Sequence, residues 1–138
     1  MSFPILVAII LLLVIFGLFA YRAFRNRKPL FSDRELRDIR ARFVDLEKRA
    51  YWDPRHSVLE GDKLLDLLLS KKGYKGPLGE KLKKAGKRLS NIQDLWDAHK
   101  VRNRIAHELD VKVEPRIASR CVAAYKKAYA LCGVDINS

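Results

Sequence analysis

Cysteine and histidine are scarce in this sequence, and their spacing argues against the common metal and thiol sites. The two cysteines, Cys121 and Cys132, are eleven residues apart. On one helix that separation is ~16 Å, too far for a disulfide, so both are expected to be small core residues. The three histidines lack i, i+4 spacing, and there is no C-x-x-C pair. We therefore predict no metal site and no cofactor.

Two sequence signatures of nucleotide and ester chemistry are also missing. No Gly-rich phosphate loop follows a strand-like segment, and there is no G-x-S-x-G motif. These absences argue against an NTPase and against a serine hydrolase of the usual kind.

Charge is absent from the beginning of the chain. Residues 3–21, FPILVAIILLLVIFGLFAY, contain no charged side chain. As a helix this run would be ~28 Å long, enough to cross the hydrocarbon core of a bilayer. We predict a transmembrane anchor over residues 1–21. A cleaved signal peptide is the alternative, but the basic n-region is missing and Leu18 is a poor residue at position −3 of a cut after Ala20.

Basic residues follow the apolar run immediately. Arg22, Arg25, Arg27 and Lys28 belong to a predicted juxtamembrane linker, residues 22–32. By the positive-inside rule the N-terminus would lie outside the cell membrane and the rest of this single-pass protein in the cytoplasm. The four cations also suit the headgroups of anionic lipids.

All 28 Lys and Arg residues and all 16 Asp and Glu residues lie after the apolar run, so residues 22–138 carry the whole net charge of +12. This part is rich in Leu, Ala, Lys, Arg and Glu, which favours helices. We predict an all-α protein: one transmembrane helix followed by a four- to five-helix up-and-down bundle over residues 33–138.

Apolar periodicity and capping signals place the helices of the bundle. They are predicted over 34–51, 54–72, from 78 to about 89, from about 92 through the stretch 96–110, and over 115–132. Ser90 or Asn91 would cap the fourth. The aromatic residues Trp52, Trp96, Tyr125 and Tyr129 occur at helical spacing, and we expect them in the core.

The segment 71–88 contains eight Lys or Arg residues and one Glu. Such a run is compatible with a solvated helix face, with RNA contact or with contact to anionic lipid. The sequence leaves these three readings open.

The stretch WDAHKVRNRIAHELD, residues 96–110, carries the strongest chemical signal. An arginine presents a fixed fork of donors to a phosphate, and a histidine moves protons near neutral pH. Arg102 and His107 could together bind a phosphodiester and activate a ribose 2′-oxygen without a metal. They are five residues apart, however, which is roughly 140° around an ideal helix. One straight helix would not aim both at one point, so either the helix distorts or a second copy completes the site.

Residues 102–107, RNRIAH, resemble the Arg-x4-His motif of the HEPN superfamily, in which a polar residue often follows the Arg, as Asn103 does here. The resemblance implies a two-fold homodimer that brings two copies of the motif into one cleft, and a metal-independent endoribonuclease. It also implies that Arg102 binds the scissile phosphate, that His107 transfers protons and that Asn103 orients either the phosphate or His107. Some members carry a Tyr two residues after the His, where this chain has Leu109, so regulation through that Tyr is not expected.

Three further residues are predicted to contact substrate: His99, Lys100 and Arg104. For His99 a packing role is the alternative, and Arg104 would be solvated or near a backbone phosphate. Other HEPN members bind RNA, nucleotides or partner proteins without cutting. A non-catalytic dimerisation or RNA/nucleotide-binding module is therefore the second hypothesis for this chain.

Overall fold

The computed structural model of the protein describes residues 2–137, and within that range it is helical with no strand. The helices are α1 (Phe3–Arg25), α2 (Asp33–Trp52), α3 (Pro54–Lys71), α4 (Leu78–Ala85), α5 (Ile92–His107) and α6 (Pro115–Leu131), with a 3-10 turn over Gly86–Arg88 after α4. An apolar helix followed by a helical bundle is the predicted fold class.

Helix α1 contributes no buried residue to the protein. It is the one helix in residues 2–137 that is long and apolar enough to cross a membrane. The helix continues beyond residue 21 to Arg25, so Arg22 and Arg25 are helical and the connecting segment is shorter than the predicted 22–32.

The start of α2 is fixed by a capping box. The Ser32 side chain accepts a hydrogen bond from the Glu35 backbone, and the Glu35 carboxylate accepts one from the Ser32 backbone N–H at 2.8 Å. The ammonium of Lys71 lies 2.7 Å from the same carboxylate and, with these bonds, lowers the pKa of Glu35 to about 2.

Phe31 attaches the segment before α2 to the core. Its side chain is only 2% exposed, and its ring stacks on Tyr129 with 5.8 Å between centroids. The Lys71 ammonium lies 5.4 Å from the Phe31 ring centroid. The connection therefore joins α1 to the bundle through residues 26–30 only.

Helices α2, α3 and α6 form the centre of the bundle, with α5 packed on α3 and α6 and the short α4 packed on α3 and α5. Arg40 on α2 donates to the carbonyl oxygen of Asp135, and Lys126 on α6 pairs with Glu47 on α2 at 2.8 Å. Helices α2 and α6 are therefore antiparallel.

The two ends of the bundle are distinguished by the helix termini that they contain. The linker end contains the start of α2, the end of α3 and the end of α6. The far end contains the start of α3 and the end of α5, where Arg55 donates to the carbonyl oxygen of Val111 at 2.8 Å.

One sequence expectation about this fold is wrong. Trp52 is 66% exposed, because it is the last residue of α2, with the Arg49 guanidinium 4.9 Å from its ring centroid. Asn91 occupies the N-cap position of α5, one of the two positions predicted, but its side chain makes no capping hydrogen bond and instead donates to the carbonyl oxygen of Ala124 on α6 at 3.0 Å. Tyr125 and Tyr129 are fully buried, as predicted, and Trp96 is half-buried.

Candidate functional site

Helix α5 carries all six residues predicted to act on substrate. Its buried residues Leu95, Ala98 and Ile105 fix it against α3 and α6. The helix ends at His107, so Leu109 lies beyond it and is 93% exposed. The helix is therefore shorter than predicted and does not include residues 108–110.

A buried carboxylate on α3 lies opposite the middle of α5. Asp62 is 6% exposed. One of its carboxylate oxygens is 3.2 Å from Nδ1 of His99, and the other is 3.3 Å from Nε of Arg102. An ionised carboxylate only accepts hydrogen bonds, so Nδ1 of His99 is the donor wherever Asp62 is ionised. Asp62 thus holds two of the predicted site residues together.

The second ring nitrogen of His99 faces α4. A Cβ atom built on Gly79 would lie 3.7 Å from Nε2 of His99, which is ordinary contact distance. The His99 side chain is 13% exposed. Because one nitrogen is bound to Asp62 and the other is covered by α4, the geometry favours a positioning role over substrate contact.

Arg102 combines a fixed stem with an accessible head. Its side chain is 37% exposed, while Nε faces Asp62. Its Nη1 donates to the side-chain oxygen of Asn103 at 3.2 Å. Two groups therefore fix the guanidinium plane, and the remaining N–H groups of its fork are free to bind an anion.

The other predicted residues on α5 are exposed. His107 is the last residue of the helix, and its side chain makes no hydrogen bond or ion pair within residues 2–137. Arg104 lies 3.5 Å from Glu108, and Lys100 lies 3.8 Å from Asp97. These exposed pairs are worth under about 1 kcal/mol each and leave both cations accessible.

Helix α5 is continuous through Arg102 and His107. A regular helix separates two residues five apart by roughly 140°, so the helix does not correct the angular offset that the sequence predicts. A single chain therefore presents Arg102 and Asn103 as one cluster and His107 as a separate side chain at the far end.

Two nucleophilic side chains near the cluster are unsuited to chemistry at neutral pH. Burial raises the pKa of the Cys121 thiol to about 11. Burial, and then the charge of Asp62, raise the pKa of the Tyr125 phenol far above its ordinary value. Both groups stay protonated at neutral pH. Arg102, Asn103 and His107 are not buried, and neither are the cations Lys100 and Arg104.

A groove of about 380 Å³ separates α5 from α6. Its floor is apolar and includes Ala98, Val101 and Ile117. Acidic residues line the α5 side and basic residues line the α6 side: Asp94 and Asp97 opposite Arg120 and Lys127. In the described part of the chain Asp94, Arg120 and Lys127 make no ion pair.

Asp62 was missed by sequence reasoning, although a signal was present. It occupies one position of an otherwise apolar buried stripe on α3 that includes Val58, Leu65 and Leu69. A carboxylate in a core stripe requires a buried partner, and the basic residues of α5 are the candidates.

Comparisons of the chain with known protein families, with curated proteins and with solved structures found no match.

Proposed function

We propose that this protein is a membrane-anchored, HEPN-like, metal-independent endoribonuclease that acts as a homodimer through Arg102, Asn103 and His107. The observation that best supports this proposal is the way the Arg102 guanidinium is held in place. Its Nε is held by the buried carboxylate of Asp62, while the head is part-exposed beside Asn103. A prepositioned guanidinium beside an accessible surface is what in-line attack on a phosphodiester requires.

In the proposed reaction His107 takes the proton of a ribose 2′-hydroxyl. The 2′-oxygen attacks the adjacent phosphorus, and the bond from phosphorus to the 5′-oxygen breaks. The leaving oxygen takes a proton from solvent, to which His107 later returns the proton it accepted, so the products carry a 2′,3′-cyclic phosphate and a 5′-hydroxyl. Arg102 stabilises the charge that develops on the phosphoryl oxygens, and Asn103 holds Arg102 in orientation.

The groove between α5 and α6 supports the homodimer. A two-fold axis would place the acidic α5 wall of one copy, Asp94 and Asp97, against the basic α6 wall of the other, Arg120 and Lys127. Val101 lines this groove and is the chain neighbour of Arg102. An interface there would bring the two motifs close together, so that His107 of one copy could serve Arg102 of the other.

The location at the membrane is the second half of the proposal. Helix α1 has the length and composition of a membrane span, and Arg22 and Arg25 occupy its last turn. With the positive-inside rule this arrangement supports a single-pass protein whose bundle lies in the cytoplasm, where RNA is present.

A cleavage assay tests the chemistry. Residues 30–138 retain Leu30, Phe31 and the whole core, since α1 buries nothing. We would incubate this protein with mixed single-stranded and structured RNA in excess EDTA. The variants would be Arg102→Ala, His107→Ala and Arg116→Ala, the last being a matched exposed arginine at the start of α6. We expect cutting with cyclic phosphate ends by the wild type and Arg116→Ala only.

A non-catalytic RNA- or nucleotide-binding dimer is the second candidate, and one observation favours it. No residue within 2–137 orients His107, whereas catalytic histidines are usually held by a partner. In that case the wild type would bind RNA without cutting it. Arg102→Ala would then weaken binding and His107→Ala would not.

A further inference from the structure

The basic segment 71–88 does not form one uniform face in the folded protein. Lys81 is 6% exposed, and its ammonium lies 2.7 Å from both the Asp66 carboxylate and the Ser70 hydroxyl on α3. It is therefore a structural residue that joins α4 to α3. Glu80, the only acidic residue of the segment, pairs with Lys83 at 3.1 Å.

Five of the other basic residues of the segment gather around the loop that follows α3. Lys84 donates to the carbonyl oxygen of Lys75 at 3.1 Å, and Arg88 donates to the Tyr74 hydroxyl at 3.2 Å. These bonds fold the end of α4 back onto the loop. We define the resulting basic surface by its five members: Lys71, Lys72, Lys75, Lys84 and Arg88.

The basic surface belongs to the linker end of the bundle. Lys71 bonds to Glu35 at the start of α2 and lies over the ring of Phe31. Asp33 and Asp135 also lie at this end, but the two neighbouring arginines, Arg34 and Arg40, offset their negative charges. The loop residues Lys72 and Lys75 are exposed and have no acidic partner within the described residues.

The linker keeps this end of the bundle close to the end of α1. Arg25 is the last residue of α1 and Phe31 is fixed in the core, so six Cα–Cα steps separate them. Fully extended, that chain reaches about 20 Å. If α1 spans a bilayer, Phe31 is held within about this distance of the headgroups, and Lys71 of the basic surface lies beside its ring, so the negative surface potential of the bilayer can attract this end of the bundle.

We propose that the basic surface docks on the anionic lipid headgroups of the bilayer that holds α1. This proposal depends on the membrane anchor and not on the ribonuclease activity. A bilayer fits the basic surface better than RNA does. Tyr74, the aromatic residue of the adjacent loop, is half-buried, and its hydroxyl accepts a hydrogen bond from Arg88. The exposed bundle aromatics Tyr51 and Trp52 end α2 at the far end, so no base-stacking platform accompanies the cations.

Vesicle flotation with residues 30–138 tests the surface directly, without α1 and without the linker cations. The vesicles would be phosphatidylcholine alone or an equal mixture of phosphatidylcholine and phosphatidylglycerol. The test variant is Lys72→Gln/Lys75→Gln. The control is Lys112→Gln/Arg116→Gln, which removes the same charge from exposed positions beside the start of α6, at the far end. Circular dichroism would verify that both fold.

We expect binding to the anionic vesicles alone, weakened by on the order of 30-fold in the loop variant and by less than about 3-fold in the control. Raising the salt concentration should abolish it. Equal binding to both kinds of vesicle, or equal losses of vesicle affinity in the two variants, would overturn the proposal. So would a loop variant that keeps its vesicle binding and loses RNA binding, since that result would identify the surface as a nucleic-acid interface.

Discussion

The link between Asp62 and Arg102 leads to a quantitative prediction. At the observed separation of 3.3 Å, the Coulomb attraction is about 5 kcal/mol for an effective dielectric of 20 and about 1 kcal/mol in water. The Arg102 side chain is 37% exposed, so solvent screens the pair and the lower part of this range applies. We therefore expect a coupling free energy of about 1–2 kcal/mol between the two side chains.

A double-mutant cycle measures this coupling. Asp62→Asn keeps the shape of the side chain and removes its charge, and Arg102→Met keeps much of the stem and removes the guanidinium. Urea unfolding of residues 30–138, followed by far-UV circular dichroism, gives the free energy of unfolding of each variant. The matched control is a cycle of Asp62→Asn with Arg104→Met, because Arg104 pairs with Glu108 and not with Asp62.

Asp62→Asn alone should lower the free energy of unfolding by about 2–4 kcal/mol, because it weakens hydrogen bonds to both His99 and Arg102. A coupling below about 0.5 kcal/mol, or one no larger than that of the Arg104 cycle, would contradict the view that Asp62 holds Arg102 in place.

Three further predictions concern stability and pH. Gly61→Ala should destabilise the protein by about 1–2 kcal/mol in urea unfolding, because the new Cβ would clash with the buried Tyr125 ring, with Cε2 at 2.6 Å. The control, Gly79→Ala, has room for a Cβ and should be neutral or slightly stabilising. Equal changes in the free energy of unfolding for the two variants would contradict this reasoning. Phe31→Ala should lower the free energy of unfolding by about 3 kcal/mol, since the ring is buried, and a loss under about 1 kcal/mol would mean that the linker is not fixed to the core. The pKa of Glu35 is lowered in the folded state from 4.5 to about 2, so the stability from its capping box and its pair with Lys71 is complete above pH 4.5 and is lost as the pH falls toward 2. An NMR titration of the Glu35 carboxyl carbon with a midpoint near 4.5 would refute that prediction.

Local signals in the sequence were sufficient for most of the helical architecture. Ser32 and Glu35 form the capping box that starts α2, and Pro54 and Pro115 lie in the first turns of their helices. The buried stripe of α2, Ile39, Phe43, Leu46 and Ala50, follows the apolar spacing of the sequence. Such features depend on residues three or four positions apart, so the sequence contains them directly.

The features that escaped prediction depend on residues far apart in the chain. Asp62 contacts His99 and Arg102 only because α3 packs on α5. The side chain of Asn91, at the N-cap position of α5, bonds a carbonyl oxygen on α6 instead of capping its own helix. The basic run 71–88 separates into a buried ion pair and a surface only after α4 folds back on the loop. Periodicity places a residue on a face of its helix, but it does not say which partner that face meets.

If α1 spans a bilayer as proposed, the short connection at Phe31 also restricts how two copies could meet. A free domain can approach its partner in any orientation, but here the linker reaches only about 20 Å, whereas α2, with 20 residues, is about 30 Å long. A pair of upright bundles lying head to tail would place one linker end about 30 Å farther from the bilayer than the other. Two such anchors would therefore favour a side-by-side pair whose symmetry axis runs along the membrane normal. Both His107 side chains would then lie at the same height, on the side of the pair that faces away from the lipid.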